Sequence, residues 1–391
     1  MTGFARKISV AGVGSTRFGR TPQRTIESLA LEAAVAAIED AGIERERLGA
    51  VYLGNFVGGS LVGQEILAGL LGDHLGLQGI PCTKVEGACA SGGIALRHAC
   101  LAVASGLCDA ALAVGVEKMS HAPTAQVTSA LTCAMDNRSD GLSGLTFPGF
   151  FGLVWAAHAA SYGTTRRDVS AVIRKNKANG LRNPLAQQGR LIDDTEIESS
   201  ALIADPLRLH DCCPVSDGAS AVVVVASEQW RAQRSRLIDV LSVVQTSGPA
   251  RISGFDDLCS FPATVRAAKL AYEQAGIVPA DLGFVELHDC FSIAEIVDSE
   301  DLGIVPRGQG HRWAAEGRTA IDGDMPINPS GGLLAKGHPV GATGIGQVYE
   351  AVLQLRAQHA NQVRDPVFGM THNLGGTGVA CTVSILARAD R

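Results

Sequence analysis

Apolar and polar positions along this chain follow two alternating rhythms. Residues 7–13 form a short, mostly apolar run that reads as a buried strand. Residues 25–41 place Ile26, Leu29, Ala30, Ala33, Ala37 and Ile38 on one helical face, and Gly42 stands where a helix stop belongs. The pattern repeats: strand over 50–56, helix over 92–104, strand over 110–116. Such alternation predicts an α/β fold with a largely parallel, helix-covered sheet.

A longer-range pattern organises these elements. Residues 33–53 read AAVAAIEDAGIERERLGAVYL and residues 267–287 read AAKLAYEQAGIVPADLGFVEL, with eleven of twenty-one positions identical at an offset of 234. Shared helical periodicity can match alanines by chance. It does not also match Gly42 to Gly276, Ile43 to Ile277 and Leu48 to Leu282. A duplicated α/β unit with two pseudo-symmetric halves is therefore expected. Between them, residues 119–215 lose the rhythm, with Pro123, Asn137, Pro148, Asn183 and Pro184 and scattered basic residues from Arg166 to Arg190. Strand character resumes at Ala219. A long excursion inside an α/β unit is a lid or binding loop, or else a helical dimerisation arm. The expected division is 1–118 with about 216–258 for one half, 119–215 for the insert and 259–391 for the other half.

Composition narrows the function. Glycine makes up 46 of the 391 residues, a share well above the usual 7 % or so, without the three-residue period of collagen. The net charge of −6 gives no basic footprint for nucleic acid. The first residues, MTGFARKISVAG, lack a secretion signal's apolar stretch, and no apolar run has the length of a membrane span. A reducing, cytoplasmic setting is expected, in which most of the ten cysteines are free and serve as small core hydrophobes. None of them forms a C-x-x-C pair, which argues against a zinc ribbon or a thioredoxin-type motif.

Four segments carry candidate chemistry. In VEGACASGGIALRHAC, Cys89 precedes a helix whose positive N-terminal end favours a thiolate nucleophile, and Gly92 and Gly93 leave room for a substrate to approach the backbone. LHDCFSIAE puts His288, Asp289 and Cys290 at a strand's carboxyl end, where open α/β sheets build sites. The alternative for that trio is a satisfied histidine beside a buried thiol. NPSGGLLAKGHPVGATG, residues 328–344, holds His338 in a glycine-punctuated turn. Its Lys-Gly-His order departs from the Gly-Lys-Ser/Thr of a phosphate loop, so nucleoside triphosphate binding is disfavoured. A histidine there suits a base or an oxyanion donor, or is simply structural. Residues 371–386 place a glycine turn before a last strand, which is either an oxyanion hole or a plain hairpin.

Taken together, CASGG at Cys89, GVEKMS at 115–120, CPVSDGASAVVV at 213–224, HDCFSIAE, the GHP block and the terminal NLGGTG resemble the thiolase family, in its order and spacing, from first strand to last. The resemblance implies the thiolase fold: two similar halves, each a mixed sheet with helices, in α-β-α-β-α layers with an inserted loop domain. It implies acyl-coenzyme A substrates, with coenzyme A as substrate or product and no metal or redox cofactor. A homodimer or homotetramer is implied too, and some relatives work beside a small OB-fold partner protein.

Roles carry over where motifs match. Cys89 corresponds to the acylated nucleophile and His338 to the histidine that activates it. The backbone N–H groups of Cys89 and Gly375 correspond to an oxyanion hole. Two departures compensate one another. The common thiolases have Asn-Glu-Ala-Phe where this chain has His288-Asp289-Cys290-Phe291, and a cysteine where it has Asn373. The HDCF motif resembles that of sterol-carrier-protein-type thiolases and of archaeal and bacterial acetyl-coenzyme A acetyltransferases. It implies Cys290 as acid/base and His288 as a contributor to the other oxyanion hole through a water. Cys213 stands about where those enzymes have a serine touching pantetheine, or is filler. The coenzyme A contacts cannot be assigned from these motifs. A retro-aldolase would not need both Cys89 and Cys290, and a non-catalytic scaffold subunit would not need the intact set of Cys89, His288, Cys290 and His338; a thiolase-like condensing enzyme with another acyl acceptor is the alternative.

Overall fold

Strand β1 (Ile8–Ser15) opens the chain as a buried run, and the computed structural model that shows it describes residue 4 and residues 6–389. Helix α1 (Ile26–Ala41) starts where the Thr25 side chain accepts from Ser28 N–H and stops at Gly42, whose φ of +62° suits glycine. There follow β2 (Val51–Gly54), α2 (Leu67–His74), β3 (Cys82–Val85), α3 (Ser91–Ala104) and β4 (Ala110–Glu117). The excursion holds helices α4 (Thr124–Thr132), α5 (Phe147–Tyr162), α6 (Arg166–Arg182) and α7 (Asp194–Ser199), then a small hairpin of β5 (Leu202–Ala204) and β6 (Leu207–Arg208). Strand β7 (Gly218–Ala226) returns to the main sheet.

The second copy runs β8 (Ile238–Ser247), α8 (Pro262–Ala275), β9 (Phe284–Glu286), α9 (Ser292–Asp301), α10 (Gly310–Ala315), α11 (Gly332–Lys336), α12 (Thr343–Leu355), β10 (Phe368–Gly375) and β11 (Ala380–Arg388). The order across the sheet is β3-β2-β4-β7-β1-β8-β11-β10-β9. Each half repeats one sequence of pairings outward from the β1–β8 seam. Even β3 has a counterpart, because Ile327 bridges Val285 in parallel as Cys82 pairs Val51. The repeat seen in the sequence is this duplication, with Gly276 closing α8 at φ +69° as Gly42 closes α1.

The expectation of a largely parallel sheet needs correction. β2 runs parallel to β3 and β4, and β9 to β10, but β7 and β11 run antiparallel to both of their neighbours. At β11 the physical reason is the connection. Residues 376–379 join β10 to β11, far short of the dozen or so residues a parallel crossover requires.

The halves stack in five layers. α1 and α2 cover the outer face of the first half-sheet through an Ala- and Leu-rich core. α3 and α12 lie side by side between the half-sheets, with Leu96, Ala99, Val103, Ile345, Val348 and Val352 packed on strands of both. α8 and α9 cover the second half-sheet together with the insert. Gly92 and Gly93 serve this central packing, not an opening for substrate. A Cβ on Gly92 would lie 2.9 Å from Gly341 O, and one on Gly93 would lie 2.0 Å from Thr382 Oγ1.

The insert is more helical than its composition suggested. α6 begins in a capping box of Thr165 and Asp168, yet it buries Asn176, Lys177 and Asn179 beside Val169, Val172 and Ile173. Polar residues on the inward face are what hid its period. Residues 1–3, 5 and 390–391 of the two expected halves lie outside the described residues. Among the described residues, no helix is long and apolar enough to cross a membrane.

Candidate active site

Duplication puts two equivalent turns side by side: the one before α3 carries Cys89 and the one before α12 carries His338. Cys89 sits in a single 3₁₀ turn, Ala88–Ala90. Ala88 has a φ of +52°, a left-handed conformation that costs an alanine about 1–3 kcal/mol. Local bonds hold it there: Gly87 N–H donates to Ser91 Oγ (3.0 Å), Ser91 O–H donates to Ala88 O (2.6 Å), and Ala88 N–H donates to Glu86 Oε1 (2.6 Å). The Gly376 N–H points at Cys89 Sγ. Gly375, the donor implied by the resemblance, ends β10 and packs against the Gly87–Ala90 turn.

His338 is positioned from both ends. Its N–H donates to Ser216 Oγ (3.0 Å), and its Nδ1 lies 2.7 Å from Thr343 Oγ1. Thr343 spends its own hydroxyl proton on Pro339 O (3.1 Å), so its oxygen accepts from Nδ1–H. The Nε2 of His338 therefore carries a lone pair, the form a base requires. Glu117 of the GVEKMS motif braces the turn from below, accepting from Asn55 Nδ2 (2.7 Å), Phe56 N–H (3.0 Å) and Gly341 N–H (3.1 Å). Lys336, which a phosphate loop would present to a ligand, is buried and paired with Glu350 at 2.5 Å.

The HDCF segment forms the facing wall. Its three polar residues part company: His288 and Cys290 line the cavity, whereas Asp289 turns away and accepts from Leu333 N–H (2.6 Å) and Leu334 N–H (3.2 Å) at the start of α11. Asn176 of α6 joins it, donating to Asp289 Oδ2 and Glu295 Oε2, each at 2.8 Å. Asn328 Oδ1 takes the Leu287 N–H at 2.8 Å. These asparagines, with Ser216 and Thr343, set the site's geometry. Sequence reasoning missed them because none carries a reactive group.

Cys89, His288, Cys290 and His338 meet at one partly open cavity of about 80 Å³, walled by Leu131, Ala134, Phe147, Phe151, Phe291, Val340 and Leu374. The insert thus supplies part of the wall. Cys213 also lines it, and its N–H donates to Cys290 O at 3.0 Å. The His288 and His338 rings stand edge to face, 4.9 Å apart at 82°. Cys89, His288 and His338 bring one ligand-type atom each within 4.8 Å of one another. A ligating histidine needs an acceptor at its other nitrogen. His338 has one in Thr343, but His288 Nδ1 faces the Asn373 Nδ2 amide at 3.0 Å. That donor set fits a metal poorly.

Burial governs the protonation states. It pushes the Cys89 thiol up to about 12 and the His338 imidazole down to about 3; His288 is held well below and Cys290 well above its ordinary value. The thiolate expected from the helix end is therefore corrected: loss of water outweighs the N–H donors, and the resting pair is thiol and neutral imidazole. A raised thiol pKa means that the free thiolate, the alkylating form, grows with pH. Iodoacetamide should label Cys89 about tenfold faster per pH unit from about pH 6 to 9 without a plateau. Acylation by an acyl thioester, with His338 taking the proton, should stay flat over about pH 5–8. Stopped-flow acylation and peptide mapping of the alkylated protein check both.

A thiol beside a neutral imidazole, with a second buried thiol and N–H donors around an apolar cavity, is an arrangement that can transfer acyl groups through a cysteine. Comparison with known proteins makes the class specific. Residues 8–228 match the family description "Thiolase, N-terminal domain" and residues 245–388 match "Thiolase C-terminal domain-like". An acetyl-CoA acetyltransferase of Methanothermobacter thermautotrophicus is 43 % identical over 384 residues, 98 % of this chain and 100 % of that protein. Sterol carrier protein 2 of Homo sapiens is 34 % identical over 97 % of this chain and 72 % of its own length. A solved structure described as an Ltp2-ChsH2(DUF35) aldolase superposes with a TM-score of 0.85 at 25 % identity, covering 98 % of each chain. The chain belongs to the thiolase family, has the thiolase fold and is an acyltransferase.

Proposed function

We propose that this thiolase makes and breaks the carbon–carbon bond of short 3-ketoacyl-coenzyme A thioesters, with acetyl-coenzyme A as one partner. The observation that carries this reading is the convergence of Cys89, His288, Cys290 and His338 on a single apolar cavity. In the cleaving direction His338 Nε2 takes the Cys89 proton as sulfur attacks the 3-keto carbon. The Cα–Cβ bond breaks and Cys290 protonates the departing acetyl-coenzyme A enolate. The Cys290 thiolate then takes the thiol proton of the incoming coenzyme A, whose sulfur accepts the acyl group as Cys89 leaves and recovers its proton from His338. In synthesis the acetyl-enzyme forms first, with coenzyme A leaving with the proton that His338 took from Cys89. Cys290 then hands its own proton to His338 and removes the α-proton of the second acetyl-coenzyme A; the enolate carbon attacks the acetyl group and expels Cys89, which takes that proton from His338. The enolate oxygen needs strong donors, each worth about 3–4 kcal/mol. His288 serves there, joined by His338 while it carries the transferred proton, and the N–H groups of Cys89 and the Gly375–Gly376 turn serve the acyl oxygen.

The cavity's volume of about 80 Å³ is smaller than the roughly 150 Å³ that accommodates benzene, which favours short acyl groups. The acetyl-CoA acetyltransferase named above supports the same choice. A cytoplasmic homodimer or homotetramer acting in lipid metabolism fits this reading. So does a small OB-fold partner protein, since one structural neighbour carries ChsH2(DUF35) in its name. The test is a panel of 3-ketoacyl-coenzyme A esters assayed both ways with purified protein. Acetoacetyl-coenzyme A should be cleaved best, with kcat/KM falling beyond about six carbons. Cleavage only of long chains, or none with or without an added OB-fold partner, would overturn the proposal.

A further inference from the structure

Asn373, on β10, stands where the common thiolases carry a catalytic cysteine, and its amide is wedged between His288 and the central helix pair. Its Nδ2 lies 3.0 Å from His288 Nδ1. Its Oδ1 is buried and has no hydrogen-bond partner. The surroundings of that oxygen are specific: a Cβ built on Gly344 would lie 2.2 Å from it and 2.4 Å from Gly93 N. Gly344 and Gly93 belong to the first turns of α12 and α3. The first four N–H groups of a helix have no acceptor within it, and that end carries partial positive charge. An amide oxygen is stabilised there and an amide NH2 is not. The two helix ends thus orient Asn373 with oxygen toward them and NH2 toward His288.

An NH2 group only donates, so His288 Nδ1 must accept. A neutral imidazole that accepts at Nδ1 carries its proton at Nε2. His338 is set the opposite way by Thr343. We propose that Asn373 is a positioning residue that fixes His288 as its Nε2–H tautomer, so that one ring offers the cavity a donor while the neighbouring ring offers a lone pair. This rests on the reading of His288 as an oxyanion donor. The titratable groups around His288 are His338, His372, Cys89 and Cys290. Among the described residues, no carboxylate bonds to it to fix the other tautomer.

Asn373→Asp separates this role from a structural one. A carboxylate at that place accepts from Nδ1–H, so only the imidazolium of His288 would still donate from Nε2. A carboxylate partner raises the histidine's pKa; the donor is then present below that pKa and lost above it. The kcat of the variant should fall as pH rises, by about 10²-fold at pH ~8, with KM for acetyl-coenzyme A within about threefold. The wild type should show no such limb. Asn373→Leu should lose activity evenly across pH. The direct reading is the ¹⁵N spectrum of histidine-labelled wild-type protein, with His288 assigned by signal loss in His288→Gln. Nε2 should be the protonated nitrogen. Protonation at Nδ1, or a pH profile for Asn373→Asp identical to wild type, would overturn the proposal. The ¹⁵N measurement needs no turnover, so it stands even if the carbon–carbon chemistry is not found, and it decides the matter if Asn373→Asp does not fold.

Discussion

Cys89→Ser should give a folded protein that takes up no acetyl group from acetyl-coenzyme A and turns over slower by on the order of 10⁴–10⁶-fold. Oxygen replaces sulfur at nearly the same volume, so the Ala88–Ala90 turn and its Ser91 clamp have no reason to move. The difference is acidity. The wild-type thiol is already pushed up to about 12 by burial, and His338, buried and neutral, removes the proton only as the sulfur bonds to carbon. A serine hydroxyl starts several pKa units higher in the same apolar cavity, where neither Leu131 nor Phe147 nor Val340 offers solvation. Intact-protein mass spectrometry after incubation with acetyl-coenzyme A, followed by peptide mapping, reads the result. The mapping matters because Cys290 and Cys213 line the same cavity. An acetyl label on either of them in the wild type, or retained turnover in Cys89→Ser, would remove Cys89 from the role proposed for it.

Much of this architecture could be read from residues because the chain repeats itself. The match of Gly42 to Gly276 marks two helix ends with the same left-handed cap, and Val51 and Val285 take the same place in their half-sheets. Reactive residues stand out for a related reason: Cys89 lies in a strand-to-helix turn and His338 in a glycine-punctuated turn between α11 and α12, both legible in the local sequence. Other features depend on contacts that no local pattern encodes. Strand direction at β11 follows from the short turn by which the chain returns, not from the composition of the strand. Helix α6 was hidden because Asn176, Lys177 and Asn179 point inward to serve Asp289, Leu334 and Asn328, and so break the apolar stripe. The charge state of Cys89 was misjudged because a helix end is a local feature, whereas desolvation is the sum of everything packed around the sulfur. Asn373 read as the loss of a cysteine. Its contact with His288, 85 residues away, exists only in three dimensions.

Cys290→Ala should separate the two half-reactions. Self-acylation of Cys89 requires a thiol, His338 and the N–H donors, none of which Cys290 supplies, so the acetyl-enzyme should form at a rate within a few-fold of wild type. Condensation and thiolysis need a proton moved at the α-carbon, and the Cys290 thiol is the titratable group left for that once Cys89 is acylated and the histidines are committed to oxygen atoms. Loss of a general acid/base typically costs about 10²–10⁴-fold; here the α-proton of a thioester is weakly acidic, which favours the upper end. The raised pKa of Cys290 fits the task from both sides. A thiol held protonated by burial and by the neighbouring Cys213 and Cys89 is an effective donor to an enolate, and its thiolate is a strong base once formed. The substitution removes one sulfur from a wall shared with Phe291 and Phe151, so the ring stack, 4.7 Å between centroids, should keep the cavity's shape. Quenched-flow mass spectrometry for the acetyl-enzyme, together with deuterium exchange at the acetyl-coenzyme A methyl group, distinguishes the steps. The variant should acylate but neither exchange nor condense. Wild-type exchange in Cys290→Ala would assign the α-proton to another group, with Cys213 the nearest thiol to examine next.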